Sequence, residues 1–279
     1  MSPLRQHEVR AHWERAAAQH GGELPATTKT DTAKRLEIDA LARALAARGI
    51  AERSDAEVLE VGCGNGHNLR ALAARFPKLR FTGVDYVAGM IAAAEGWRAA
   101  SPDAGRLAFH TGDALELASL PALRAHYDAV LTDRCLINLG TTPRQQRALL
   151  EIGAKLAPGG WLFAIENSLR SYALQNDCRE RVGLPRRTPA AFNCFLDEDA
   201  LFPAVAEALE LVAIDDFISL HDLALYVLVP ASNGGVVDYA HPLVEIATRL
   251  ELAMPDELRG AFGLFGQNRL YSLRRREPR

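Results

Sequence analysis

The sequence predicts an α/β fold: a doubly wound, mostly parallel seven-stranded sheet with N-terminal helices and a C-terminal insertion forming a cap. Three observations lead there. Between Glu57 and about Arg187, short apolar runs alternate with helical segments, as in a parallel sheet covered on both faces. A glycine-rich turn, GCGNG, follows the first run. An acid closes each of five consecutive runs: Glu60, Asp85, Asp113, Asp133 and Glu166.

The first fifty residues read as two helices joined by the loop GGELPATTKT. Val9, Trp13 and Ala16 share one face of the first. Leu36, Leu41 and Leu45 share a face of the second, which begins after Thr30-Asp31-Thr32 and ends at Gly49. EVLEV, LRFTGVD, RLAFHTGD, YDAVLTD and GWLFAIEN follow as buried strands. His67–Phe76, Val87–Ala100 and Pro143–Leu156 separate them as helices, the last stopped by Pro158-Gly159-Gly160. A helix near Asp197–Leu209 then leads to the strand LVAIDDF, and RLYSL is the final strand. The stretch from Ser219 to Gly266 exceeds any hairpin connection. It holds the apolar LALYVLVP and a helix near Pro242–Ala253, and reads as a cap over the active edge. The expected segments are 1–50 (N-terminal helical cap), 51–218 (core), 219–266 (cap insertion) and 267–279 (final strand and tail).

Composition narrows the functional classes. The 279 residues are 48% hydrophobic and 24% charged, an ordinary globular balance. A formal net charge of -3 offers no footing for a polyanion, so no nucleic-acid partner is expected. No run reaches the roughly 18 apolar residues of a spanning helix, so no membrane partner is expected. The N-terminus lacks the apolar core of a signal peptide. The four cysteines, Cys63, Cys135, Cys178 and Cys194, show no CxxC pair, which fits a reducing cytoplasm. The eight histidines are scattered and show no metal-ligand spacing, so no metal is expected. The sequence does not specify an oligomeric state; a homodimer is compatible with it.

The turn after the first strand carries the chemistry. Glycines at 62, 64 and 66 permit a tight turn and close approach of a ligand to the backbone. The helix that follows offers free N–H groups to an anion. The spacing is GxGxG, whereas dinucleotide sites prefer GxGxxG. Asp85 falls nineteen residues past Gly66, where a doubly wound sheet sets a carboxylate beside the first loop to accept from ribose hydroxyls.

EVGCGNG, TGVDYVAGMI, FHTGDALEL, YDAVLTDRCLINL and LAPGGWLFAIEN together resemble the five motifs of class I S-adenosylmethionine-dependent methyltransferases, over Val58 to Asn167. The resemblance implies a Rossmann-like core, S-adenosylmethionine as cofactor, and acids converging around one nucleoside. It implies that Gly62, Gly64 and Gly66 hold the methionine part, with Glu60 near its amino group. Asp85 would take the ribose, Tyr86 or Val87 would flank the adenine, and Asp113 would accept from the adenine amine beside Ala114. Arg134 would lie at the methionine end or at the acceptor, and Thr30 would close over the cofactor carboxylate.

Methyl transfer from a sulfonium is an in-line displacement, and a base is needed only when the acceptor is a hydroxyl or weak acid. Glu166, leaving the fifth strand, and His221, opening the cap, are the candidates; either also reads as a structural group. Tyr172, Arg179 and Tyr226 are candidate acceptor contacts. No Asn/Asp-Pro-Pro-aromatic run or Pro-Cys follows the fourth strand, so the resemblance does not extend to base-methylating enzymes. The expected activity is O- or N-methylation of a small biosynthetic metabolite. One alternative is C-methylation of an isoprenoid diphosphate clamped by two of Arg170, Arg179, Arg186 and Arg187, with Glu166 as base. The others are a cofactor-binding subunit without catalysis and an NAD-dependent oxidoreductase.

Overall fold

The alternation of strand and helix folds, in the computed structural model, into one seven-stranded sheet of order β3-β2-β1-β4-β5-β7-β6. The structure describes residues 5–277, the side chain of Asp256 apart; residues 1–4 and 278–279 of the expected terminal segments lie outside the described residues. Strands β1 (Glu57–Val61), β2 (Arg80–Asp85), β3 (Leu107–Thr111), β4 (Tyr127–Asp133) and β5 (Leu156–Asn167) run parallel. Strand β7 (Asn268–Arg275) inserts antiparallel between β5 and β6 (Leu209–Asp216).

Residues alternate between the two faces along each strand. Leu59, Val61 and Val130 pack with Leu149, Ile152 and Tyr271 on one face, while Val58, Phe81, Leu131 and Phe163 pack with Leu41 and Leu72 on the other. Each such fully buried side chain stabilises the fold by about 1.5–3 kcal/mol. The flanking helices are α3 (His67–Arg75), α4 (Ala88–Ala99), α5 (Thr142–Lys155), α6 (Leu169–Arg181) and α7 (Glu198–Val205). In α5, Ala148, Leu149 and Ile152 recur at helical spacing on the face that meets the sheet.

Two local readings change. The Pro158-Gly159-Gly160 stop is not a turn ahead of the strand: β5 already begins at Leu156 and carries these residues as an irregularity. Its pairing with β4 steps from Tyr127↔Leu156 to Ala129↔Trp161, and Gly159 takes φ +69°. β3 ends at Thr111, so Asp113 lies two residues past the strand.

Helices α1 (Gln6–His20) and α2 (Asp31–Ala47) precede the sheet, and Thr30 caps α2 by accepting from Thr32 N. Between β6 and β7, α8 (Ser219–Leu223), a π-helical turn (Ala224–Leu228), α9 (Val229–Ser232) and α10 (Pro242–Ala253) cross the C-terminal strand edge. The Arg35–Glu245 ion pair and the His221–Thr32 hydrogen bond tie this insertion to α2. No helix among the described residues is long and apolar enough to cross a membrane.

Candidate functional site

At the C-terminal ends of β1, β2 and β4 the chain leaves a cavity of about 960 Å3, roofed by α1, the 24–30 loop and the cap. Such strand-end crevices are where open α/β sheets bind ligands. Gly62, Gly64 and Gly66 all have positive φ. A Cβ at Gly62 would lie 2.6 Å from Cys135 Sγ, and one at Gly64 2.7 Å from Thr27 Cγ2. Gly62 and Gly64 line the cavity. Gly66 does not: its missing side chain makes room for the Phe109 ring, 2.8 Å from a Cβ placed there.

Of the five strand-exit acids, Glu60, Asp85, Asp113 and Asp133 line this cavity. Asp85 accepts from Gly64 N and Val87 N, both at 2.9 Å, and burial pushes its carboxyl up to about 6. Asp113 accepts from Leu115 N at 2.9 Å, with Ala114 buried beside it on the same wall. Glu60 accepts from Asn68 Nδ2 at 2.7 Å through Oε1, but its buried Oε2 has no partner. Burial raises that carboxyl to about 8. The buried Tyr86 hydroxyl is likewise unpartnered, while Arg10 lies over the Tyr86 ring.

Beside Glu60 lies a charge cluster that no local pattern announces. Lys34 Nζ reaches Asp133 Oδ2 at 2.5 Å, Glu37 Oε2 at 2.8 Å and Asn68 Oδ1 at 3.2 Å. Arg134, held in the left-handed region at φ +55°, lies 3.2 Å from Glu37 Oε1 and 3.4 Å from Asp133 Oδ1. Asn268 of β7 donates to Glu37 Oε1 at 2.9 Å. Burial opposes every charge here. Lys34 and Arg134 nevertheless bring Asp133 well below the usual carboxylate range, and Asp133 with Glu37 raises Lys34.

Glu166 does not reach the cavity. Fully buried, it accepts from Thr132 Oγ1 and Cys135 N at 2.9 and 3.0 Å, and from Leu136 N and Ile137 N at 2.9 and 3.2 Å. Its oxygens hold the N–H groups exposed where the chain turns at Arg134 into the 3-10 turn Leu136–Leu139. Arg179 is also turned away. It donates to the carbonyls of Pro185 and Tyr226 and is not in the cavity wall. Arg170 pairs with Asp199, and Arg186 with Asp177 and Glu180, all exposed. Of the four arginines weighed as a diphosphate clamp only Arg187 lines the cavity, so that clamp is not assembled.

The remaining candidates do converge. Thr30, Arg134, Tyr172, His221 and Tyr226 line the same cavity. His221 is 1% exposed, with Nδ1 3.0 Å from Asp222 Oδ1 and Nε2 3.1 Å from Thr32 Oγ1. An ionised Asp222 only accepts, so Nδ1 donates to it, and in the neutral ring Nε2 is then the acceptor. Thr32 Oγ1 lies 3.0 Å from Thr30 Oγ1, so a hydrogen-bonded run reaches from Asp222 to the cavity wall. A further aromatic group, Trp13 and His12 of α1 with Phe192, also lines the cavity.

The comparisons agree with this geometry. Residues 58–160 match a family model described as a methyltransferase domain. Trans-aconitate 2-methyltransferase of Deinococcus radiodurans is 34% identical over 113 residues, 40% of this chain and 38% of that protein. The match therefore spans well under half of that relative's length. A magnesium protoporphyrin IX methyltransferase of Synechocystis PCC 6803 with bound S-adenosylhomocysteine superposes at TM-score 0.59 and 13% identity, covering 98% of this chain and all of that one. The N-methyltransferase NodS of Bradyrhizobium japonicum, with the same ligand, gives TM-score 0.54 and 15% identity over 97% of this chain and 99% of its own. At these identities the two structures establish the shared fold.

Proposed function

From the premise that the chain carries a class I S-adenosylmethionine-dependent methyltransferase domain, we propose that it methylates oxygen or nitrogen of a small biosynthetic metabolite in the cytoplasm. The observation that carries this reading is a single cavity shared by the glycine turn with its acids and by the polar groups of the cap.

The residues fit the cofactor. Gly62 and Gly64 bring backbone to the cavity wall where the methionine portion would lie, and the orphaned Glu60 Oε2 is an acceptor for its ammonium group. Asp85 and Asp113 have lone pairs left for the ribose and adenine. When bound, S-adenosylmethionine supplies an electrophilic methyl group on a sulfonium.

The chain's own work is alignment, exclusion of water and removal of a proton. Trp13, Phe192 and residues of the cap line the cavity, and their apolar surface serves to exclude water once the ligands are in place. His221 Nε2, held by Asp222, takes the proton of a hydroxyl or ammonium acceptor, directly or through Thr32 and Thr30. Calorimetry with S-adenosylhomocysteine and NAD in parallel, followed by radiolabel transfer to hydroxy- and amino-metabolites, tests the reading. Binding of NAD alone would overturn it. Tight S-adenosylhomocysteine binding without transfer to any acceptor would leave a binding subunit instead.

A further inference from the structure

Resting on the methyl-transfer reading, we propose that the acceptor is a small monocarboxylate, held through its carboxylate by Arg187. This side chain belongs to the segment joining α6 to α7 and lines the cavity. Its guanidinium lies 3.5 Å from the centre of the Tyr226 ring and 4.9 Å from that of Tyr172. Nη2 donates to the amide oxygens of Gln175 and Gln267, at 2.5 and 3.1 Å. The group is therefore fixed in plane and direction before any ligand arrives, which lowers the ordering cost of binding.

Its charge is not neutralised. Among the described residues no carboxylate pairs with Arg187, whereas the buried Lys34 and the half-buried Arg134 of the same cavity are paired with Glu37 and Asp133. The nearby acid, Asp222, is kept from it by the same two glutamines. Asp222 Oδ2 accepts from Gln175 Nε2 at 2.9 Å and from Gln267 N at 2.6 Å, and its other oxygen is taken by His221. Each glutamine turns an N–H to the acid and an oxygen to the arginine. Arg179, behind the wall, is a second cation: burial first, then the proximity of Arg187, lowers its hold on its proton. Two arginines thus stand at this end of the cavity against the one carboxylate of Asp222.

The arrangement also sets the ligand's charge and shape. One guanidinium, whose Nη2 is taken by the two glutamines and whose buried Nε has no partner, matches a single negative charge. A phosphate dianion would call for a second cation in the cavity wall; Arg170 and Arg186 are committed to exposed acids, and Arg179 lies behind the wall, donating to the carbonyls of Pro185 and Tyr226. Tyr172, Phe195, Leu225 and Tyr226 form the adjoining wall, suited to an apolar or aromatic body.

The test uses the full chain saturated with S-adenosylhomocysteine. The probes are 3-hydroxybenzoate, 4-hydroxycinnamate and anthranilate, each beside its carboxamide, with 3-hydroxyphenyl phosphate as a further arm. At least one acid should bind about 10- to 100-fold more tightly than its amide, the loss expected when a charge-assisted pair is removed. Arg187→Gln should abolish that preference while leaving S-adenosylhomocysteine affinity unchanged, and Arg187→Lys should retain part of it. Equal affinity for acids and amides, no binding of any acid, tighter binding of the phosphate, or a preference that survives Arg187→Gln would each overturn the assignment. Failure to bind S-adenosylhomocysteine strikes instead at the methyl-transfer reading, so the two failures are separable.

Discussion

Protonation of Asp85 should set opposite pH slopes for the free protein and its complex. Burial pushes this carboxyl from an ordinary value near 3.8 up to about 6. Between those two values the folded chain binds more protons than the unfolded one, so the stability of the free protein falls as pH rises through this window. Two pH units correspond to about 3 kcal/mol. Ribose hydroxyls donate to the ionised carboxylate, so the complex behaves in the opposite sense: affinity weakens as pH falls below 6. At pH 5 roughly one molecule in ten is ionised, which predicts an approximately tenfold weaker Kd than at pH 7. Calorimetric titration with S-adenosylhomocysteine between pH 5 and 7 and thermal melts between pH 4 and 6 read the two slopes. The ligand-induced rise in Tm should grow with pH. Glu60, raised to about 8, and His12 and His67, pushed down by burial, also line the cavity, so Asp85→Asn isolates one carboxylate: the variant should bind weakly at every pH, and the roughly tenfold part of the slope that belongs to Asp85 should be gone. An affinity flat from pH 5 to 7, or the same slope in the variant, would refute the reasoning.

Other perturbations separate chemistry from architecture. Glu166→Gln leaves donors facing an amide and should cost about 2–4 kcal/mol in denaturant unfolding, while turnover per folded molecule stays unchanged. His221→Asn should lower turnover on a hydroxyl acceptor by about 10²- to 10⁴-fold in single-turnover assays, with S-adenosylhomocysteine affinity kept. Gly62→Ala combines a left-handed backbone with a clash on Cys135; melts should show a loss of about 2–5 kcal/mol. Lys34→Met strands Glu37 and Asp133 in the interior, and chemical unfolding should register about 3–5 kcal/mol.

Much of the fold is legible because its signals are local. The glycine turn, the apolar runs and the helix stops specify β1 to β5 and the helices between them without reference to distant residues. The same locality locates Asp85 and Glu60. Glu166 looked equivalent, but its surroundings depend on the turn at Arg134, which presents three successive N–H groups to whatever acceptor lies beneath. A run of exposed N–H groups after a strand demands an acceptor, and that demand was the available clue. Lys34 and Glu37 were not legible as a site. On α2 they look like an ordinary surface pair three residues apart, and only the arrival of Asp133, Arg134 and Asn268 buries them. Arg187 stood among four arginines of similar appearance; their partners, not their spacing, distinguish it.

The position of β7 has a consequence for biosynthesis. Strands β1 to β5 can pair as they leave the ribosome, but β6 emerges with no neighbour until β7 is made and slots in beside β5. Asn268 and Gln267, which complete the Glu37 and Arg187 environments, arrive with it. A nascent chain halted before residue 267 therefore presents two bare strand edges and an unfinished charge cluster. Such a product would be a target for aggregation and proteolysis rather than a weakened enzyme.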